Sequence, residues 1–231
     1  MKLFAIADLH LSRAREKSMN IFGGHWDGHW EKIVHSWKQQ IQEQDFVLIP
    51  GDISWAMTME DALLDLRAIG ELPGTKLLLR GNHDYYWSSI GRLRASLPPG
   101  MYALQNDHFV FEGLTVCGTR GWSLPGSANF GAADQKIYDR ELQRLKLSLA
   151  SAEEKGLGCD ICMMHFPPFL NKPEGAFVEL LQSYGVKRVI YGHLHGRGRE
   201  GVFEGEAEGI FYQLVSCDHL DFKPLPIVLE K

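Results

Sequence analysis

Short, mostly apolar runs recur along the chain, and several of them stop at a polar cluster. Lys2-Leu3-Phe4-Ala5-Ile6-Ala7 stops at Asp8-Leu9-His10, and Phe46-Val47-Leu48-Ile49 at Pro50-Gly51-Asp52. Lys76-Leu77-Leu78-Leu79 stops at Arg80-Gly81-Asn82-His83-Asp84. Asp160 to Met164 runs into His165-Phe166-Pro167-Pro168, and Lys187 to Tyr191 into Gly192-His193-Leu194-His195-Gly196. Runs of this length, bounded by turn-forming residues, predict buried strands. Longer segments with apolar residues three and four apart predict helices from Trp30 to Gln44, Met59 to Ile69, Trp87 to Leu97, Ala133 to Lys155 and Glu174 to Tyr184. Thr58 is placed to cap the second of these. Strands are also expected at Tyr102–Leu104, Asp107–Phe111 and Leu114–Gly118, with Glu112-Gly113 as a hairpin turn. After the last histidine pair, residues 201–203, 209–215 and 226–230 read as antiparallel strands.

The order opens strand–helix–strand–helix and closes rich in strands. That favours an α/β sandwich: two mixed sheets back to back with helices outside. With 231 residues, 45% of them hydrophobic, and no Pro/Gly/Ser linker, a single domain over residues 1–231 is expected. The formal net charge of -5 excludes adhesion of the whole molecule to nucleic acid by bulk electrostatics. No apolar window approaches the roughly 20 residues of a membrane span, and the N-terminal apolar run is too short for a signal peptide. Cys117, Cys159, Cys162 and Cys217 lie in apolar stretches and read as buried free thiols, which fits a reducing, cytoplasmic location. Cys159-x-x-Cys162 has redox or zinc spacing, but a strand there would point the two thiols to opposite faces.

The strand ends collect Asp8, His10, Asp52, Asn82, His83, His165, His193 and His195. The carboxyl ends of strands are where α/β sheets bind ligands. Carboxylates, imidazoles and one amide oxygen suit borderline divalent metals such as Mn, Fe, Zn, Co or Ni, and the absence of thiolates argues against a structural zinc knot. Setting His83 aside, the remaining groups are too many for one ion. They suffice for two if one carboxylate bridges, and Asp52 is the best bridge. A metal pair about 3.5–4 Å apart holds an activated water and clamps a phosphoryl oxygen.

Asp8-x-His10, Gly51-Asp52, Gly81-Asn82-His83-Asp84, His165 and Gly192-His193-x-His195 resemble, in order and spacing, the five signature blocks of the calcineurin-like metallophosphoesterase superfamily. The resemblance implies a four-layer αββα sandwich with a dinuclear centre at the sheet edge. It assigns Asp8, His10, Asp52 and His195 to one ion, and Asp52, Asn82, His165 and His193 to the other. Asp52 would bridge, and His83 would act on the leaving group or the transition-state charge. The implied activity is cleavage of a phosphomonoester or phosphodiester by in-line attack of a metal-bridging hydroxide. The partner would be a small phosphorylated substrate, nucleotide-like ones included. A nuclease of the same superfamily and a catalytically inactive metal-binding scaffold are the alternatives.

The sequence departs from the protein-phosphatase pattern of that superfamily. Gly51-Asp52 is followed by Ile53-Ser54-Trp55-Ala56 without an Asp–Arg pair, and the histidine block ends in Asp84 instead of Glu. Asp84 reads as a cap of the helix that follows. Trp26, Trp30, Trp55, Tyr85, Tyr86, Trp87 and Trp122 crowd the blocks. Packing at the sandwich corners is preferred over base stacking. His25-Trp26-x-x-His29-Trp30 reads as a helix start or substrate-facing loop before it reads as a third metal site. Arg120 is the first candidate for a non-metal phosphate contact, because a guanidinium grips two oxygens at once. Arg13, Arg197 and Arg199 are the runners-up.

Overall fold

The computed structural model describes residues 1–14 and 17–228. Among the described residues, eleven strands form two sheets. The first contains β1 (Leu3–Ala5), β2 (Phe46–Pro50), β3 (Thr75–Leu79), β4 (Met101–Leu104) and, at the opposite edge, β11 (Leu225–Ile227), in the order β11-β1-β2-β3-β4. The second contains β5 (Phe109–Phe111), β6 (Leu114–Thr119), β7 (Ile161–Met164), β8 (Arg188–Tyr191), β9 (Gly205–Ala207) and β10 (Ile210–Leu214), in the order β5-β6-β7-β8-β10-β9. Both sheets are mixed, with parallel centres; the first has an antiparallel pair at one edge and the second at both.

Strand alternation explains the layering. Leu3, Ala5, Phe46, Leu48, Leu77 and Leu79 of the first sheet meet Val116, Ile161, Met163 and Ile190 of the second in one apolar cluster between the sheets. The intervening residues face outward. Phe4, Val47, Ile49 and Leu78 pack under α1 (His29–Gln40), α2 (Met59–Gly70) and α3 (Ile90–Ser96). Cys117, Cys162, Met164 and Val189 pack under α4 (Ala132–Glu153) and α5 (Ala176–Ser183). The result is the four-layer αββα sandwich, with a period of two in the strands turning alternate residues to different cores.

Several elements differ from expectation at their ends. α1 stops at Gln40 because the Asp45 carboxylate accepts the Gln42 N–H at 2.9 Å and turns the chain toward β2. α3 starts only at Ile90, capped by Ser89, because Trp87 is buried in a turn with its indole N–H on Gln105. Residues 201–203 form no strand, and β9 begins at Gly205. β10 pairs antiparallel with β9 but parallel with β8, so the expectation of a purely antiparallel ending is corrected. β11 is antiparallel to β1, while the last residues of the expected 226–230 strand, Leu229 and Glu230, lie outside the described residues. Thr58 caps α2 by accepting the Asp61 N–H, and Glu112 and Gly113, both with positive φ, make the expected hairpin. The four cysteines are free and buried. Cys159 precedes β7 and joins Cys162 in the same helix-side cluster, so strand alternation does not separate those thiols.

Among the described residues, one lysine is fully inside. Lys76 of β3 directs its ammonium to the carbonyls of Gly70 and Leu72 at the C-terminal end of α2, where the helix dipole favours a cation. Burial nevertheless lowers its pKa to about 8. Between about 8 and the ordinary value of 10.5, the unfolded chain therefore holds a proton that the folded chain has lost, and stability from this group rises with pH. Chemical denaturation across that window is expected to show the rise in the wild type and a flatter profile in Lys76→Met.

Candidate metal centre

The parallel strands of both sheets deliver their loops to one edge. Asp8 and His10 follow β1, Asp52 follows β2, Asn82 and His83 follow β3, His165 follows β7, and His193 and His195 follow β8. Backbone hydrogen bonds knit these loops together. Asp8 N–H donates to Gly51, His10 N–H to Asp52, and Gly192 N–H to His165. Ala7 N–H donates to Val215, and Cys217 N–H donates to Ala7, so the end of β1 pairs with the chain beyond β10 and joins the two sheets directly beneath the site.

The loops pass so closely that two glycines are required by contact alone. A Cβ on Gly81 would lie 2.2 Å from the Asp52 backbone nitrogen, and one on Gly192 would lie 2.6 Å from Asp8 Oδ2. Four site residues other than glycine hold left-handed backbone: Asp8 (φ 61°), His10 (φ 46°), Asp52 (φ 51°) and His193 (φ 74°). Each such residue costs on the order of 1–3 kcal/mol, which the surrounding hydrogen bonds must offset.

The expected residues form two joined clusters. Donor atoms of Asp8, His10 and His195 lie within 4.8 Å of one another, as do those of Asp52, His165 and His193. Asp52 sits between them, with Oδ1 3.4 Å from His165 Nε2 and Oδ2 3.8 Å from His10 Nε2. Asn82 Oδ1 lies 2.8 Å from His165 Nε2. His83 stands beside this group and its side chain is one-third exposed. Its backbone N–H donates to Asp52 Oδ1 at 2.8 Å, and its Nε2 lies 4.0 Å from Asp52 Oδ2.

Charges and lone pairs fit cations here. Asp8 and Asp52 are buried, and among the described residues their ion-pair partners are all histidines. Burial alone would raise both carboxyl pKa values. The charges of His195 and His165 on Asp8, and of His165 and His10 on Asp52, outweigh it and hold both below the ordinary value. Burial lowers His10 to about 4 and His193 to about 3, leaving neutral imidazoles with available lone pairs. His165 Nδ1 lies 3.1 Å from the Pro50 carbonyl, which can only accept. Its Nε2 then faces two more acceptors, Asn82 Oδ1 and Asp52 Oδ1; burial opposes charge on this ring, but the Asp52 and Asp8 carboxylates raise its pKa above the ordinary value. His195 gives Nδ1–H to Asp218 at 2.7 Å, and its buried Nε2 has no hydrogen-bond partner. Burial opposes charge on His195, but Asp8 and Asp218 raise its pKa to about 10. A proton is drawn to the spot where the acceptors converge, and a cation would satisfy the same demand.

Two acidic supports escaped sequence reasoning. Asp218 holds the His195 ring, the arrangement that fixes tautomer and orientation in metal-ligating histidines. The rule applied to the other strands would have found it, since it follows the apolar run Ile210–Val215. Asp84 is not a helix cap. Its buried carboxylate accepts the N–H groups of Gly81, Ile53 and Ser54 at 2.7, 2.9 and 3.1 Å, tying the Asn82 loop to the Asp52 loop. Burial and the Asp52 charge raise its pKa to about 7, against the pull of those three donors.

The aromatic residues mostly pack. Trp26, Tyr86 and Trp87 are buried, and Trp26 meets His195 edge-on at 5.5 Å. Trp55 stacks on His10 at 4.8 Å and leans on His83 at 4.3 Å, so it braces the site itself. His29 opens α1 with Nε2 3.0 Å from the Leu9 carbonyl, and so belongs to a helix start. Arg120 joins neither donor cluster. Its guanidinium is bound to buried Glu141 at 2.9 Å and lies over the Trp122 ring.

The sequence profile of the calcineurin-like phosphoesterase family matches residues 1–197. The chain belongs to that family. No curated protein matches it. Similar solved structures include TT1561 of Thermus thermophilus, at 14% identity and a TM-score of 0.54, with 99% of this chain and 98% of that one covered. A protein of unknown function from Aquifex aeolicus, AQ665, gives 14% identity and a TM-score of 0.51 over 97% and 95% of the two chains. At this identity both likenesses speak for the fold alone. A metal-dependent phosphoesterase fits the family and the two donor clusters together. No described helix is long and apolar enough to cross a membrane.

Two substitutions probe the supports. Asp218→Ala is expected to leave the fold intact and to weaken metal affinity about 10–100-fold, read by metal titration. Asp84→Ala strands three buried N–H groups, and a loss of about 3 kcal/mol or more is expected in denaturant unfolding.

Proposed function

We propose that the chain is a two-metal phosphohydrolase acting on a small phosphomonoester or phosphodiester. The observation that carries this reading is the pair of donor clusters with Asp52 directing one oxygen toward each. Asp8, His10, Asp52 and His195 would hold one ion, and Asp52, Asn82, His165 and His193 the other. Two bound cations supply an activated water and a clamp on phosphoryl oxygens.

The chain's own groups supply the rest. Asp8 and Asp52 provide the negative charge, and the loop hydrogen bonds fix their directions before any ligand arrives. His83, one-third exposed and held by its backbone to Asp52, can reach a bound phosphate. Burial lowers its pKa, with Asp52 opposing, so a proton on Nε2 passes more readily to a leaving oxygen than from a free imidazole. Trp55 leans on the His83 ring in a tilted contact at 4.3 Å and so limits its movement. A cavity of about 280 Å³ beside Trp55, lined by Ser12, Lys17, Met57 and Asp65, has the size of a small leaving group. Lys17 places its ammonium 3.2 Å above the Trp55 ring at that wall.

Metal analysis of the purified protein, followed by assays with p-nitrophenyl phosphate and its bis-ester in added Mn, tests the reading. Two ions per chain and hydrolysis of at least one ester are expected. Two bound ions with neither ester cleaved would favour the scaffold alternative. Asp52→Asn is expected to lose metal and activity together. His83→Ala should keep the metal and lose about 10²–10⁴-fold in turnover; undiminished turnover would remove His83 from the chemistry.

A further inference from the structure

The row of strand ends does not stop at the metal ligands. One strand further along each sheet, the ends of β3, β4 and β6 enclose a second, smaller pocket lined by Arg80, Gln105, Asn106, Arg120, Glu141 and Arg144. Arg80 immediately precedes Gly81-Asn82, and the Arg120 carbonyl accepts the N–H groups of His165 and Phe166. The pocket is thus built on the same two loops that carry Asn82 and His165.

Its charge is unbalanced. Three guanidiniums meet one carboxylate, in a chain whose formal net charge is -5. Glu141 is already engaged: Oε1 accepts from Arg120 at 2.9 Å and from Arg144 at 2.7 Å, and Oε2 accepts the Thr119 hydroxyl at 2.8 Å. Arg80 has no share in it, and among the described residues it forms no ion pair. The Nε–H groups of Arg80 and Arg120 are buried without a hydrogen-bond partner. Crowded guanidiniums with buried, unanswered donors are what an oxyanion relieves, since each can give it charge-assisted hydrogen bonds. The enclosed volume, about 20 Å³, admits an oxygen or two of such an anion, with the remainder at the solvent side.

We propose that Arg80, Arg120 and Arg144 form a phosphate-class oxyanion site beside the metal centre. The oxyanion has two possible sources: a second phosphoryl group on a substrate whose first lies at the metals, or free phosphate. The site stands without the two-metal reading; only the first source rests on it.

Calorimetric titration with inorganic phosphate tests the site on the metal-loaded full chain. Arg144→Gln and, separately, Arg80→Gln are expected to weaken one binding event at least tenfold, while Lys172→Gln, at an exposed pair outside the pocket, leaves it unchanged. The event is expected to persist in Asp52→Asn, which separates it from phosphate held at the metals. Binding unaffected by both arginine substitutions, or abolished by Asp52→Asn alone, would overturn the proposal whatever the outcome of the ester assays. A second arm distinguishes the sources. If the pocket holds part of the substrate, Arg144→Gln raises KM for a bisphosphate more than for p-nitrophenyl phosphate. If it takes free phosphate, both KM values stay level and the calorimetric loss remains.

Discussion

Two carboxylates taken out of water are the constraint around which this molecule is built. Asp8 and Asp52 lie at the meeting edge of two sheets, with imidazoles as their only described ionic partners. A buried charge left unpaired is costly. The answer in this fold is a dense convergence of loops: histidines turned inward from β1, β7 and β8, backbone N–H groups aimed at the carboxylates, and a further acid, Asp218, behind to orient the His195 ring. Glycines where loops nearly touch, and left-handed backbone at the ligands themselves, are consequences of forcing so many polar groups into one place.

Much of this edge is legible in the sequence because its signal is local. An apolar run that stops at Gly-Asp or Gly-Asn-His announces a strand end, and parallel strands bring their ends together. The layering is legible for the same reason, since alternation within β2 and β3 already sorts residues into two cores. Pairing across the chain is less so. Nothing within Ile210–Leu214 says that it lies parallel to Arg188–Tyr191, because that depends on where the intervening segment goes.

Roles that rest on distant partners were also hidden. Asp84 has a short side chain just ahead of an amphipathic segment, which is what a helix cap looks like. Its actual partners include Ile53 and Ser54, some thirty residues earlier in the chain. Arg120 sits in a Gly-flanked loop and looks available for a ligand, but Glu141 on α4 holds it in a neighbouring pocket. In each case the local chemistry was visible and the tertiary partner that redirects it was not.

The chain beyond β10 gives the site an order of assembly. All the candidate ligands are in place in the chain by residue 195, and the family profile ends at 197. Yet Ala7, next to Asp8, is bonded to Val215 and Cys217, and the His195 ring leans on Asp218. On a ribosome, where the N-terminal part emerges first, the Asp8 loop can bond early to Gly51 and Asp52, but the ties of Ala7 to Val215 and Cys217 close only after residue 217 has been made. The metal-binding edge is completed by residues that follow every candidate ligand in the chain and bear none of the family's signature.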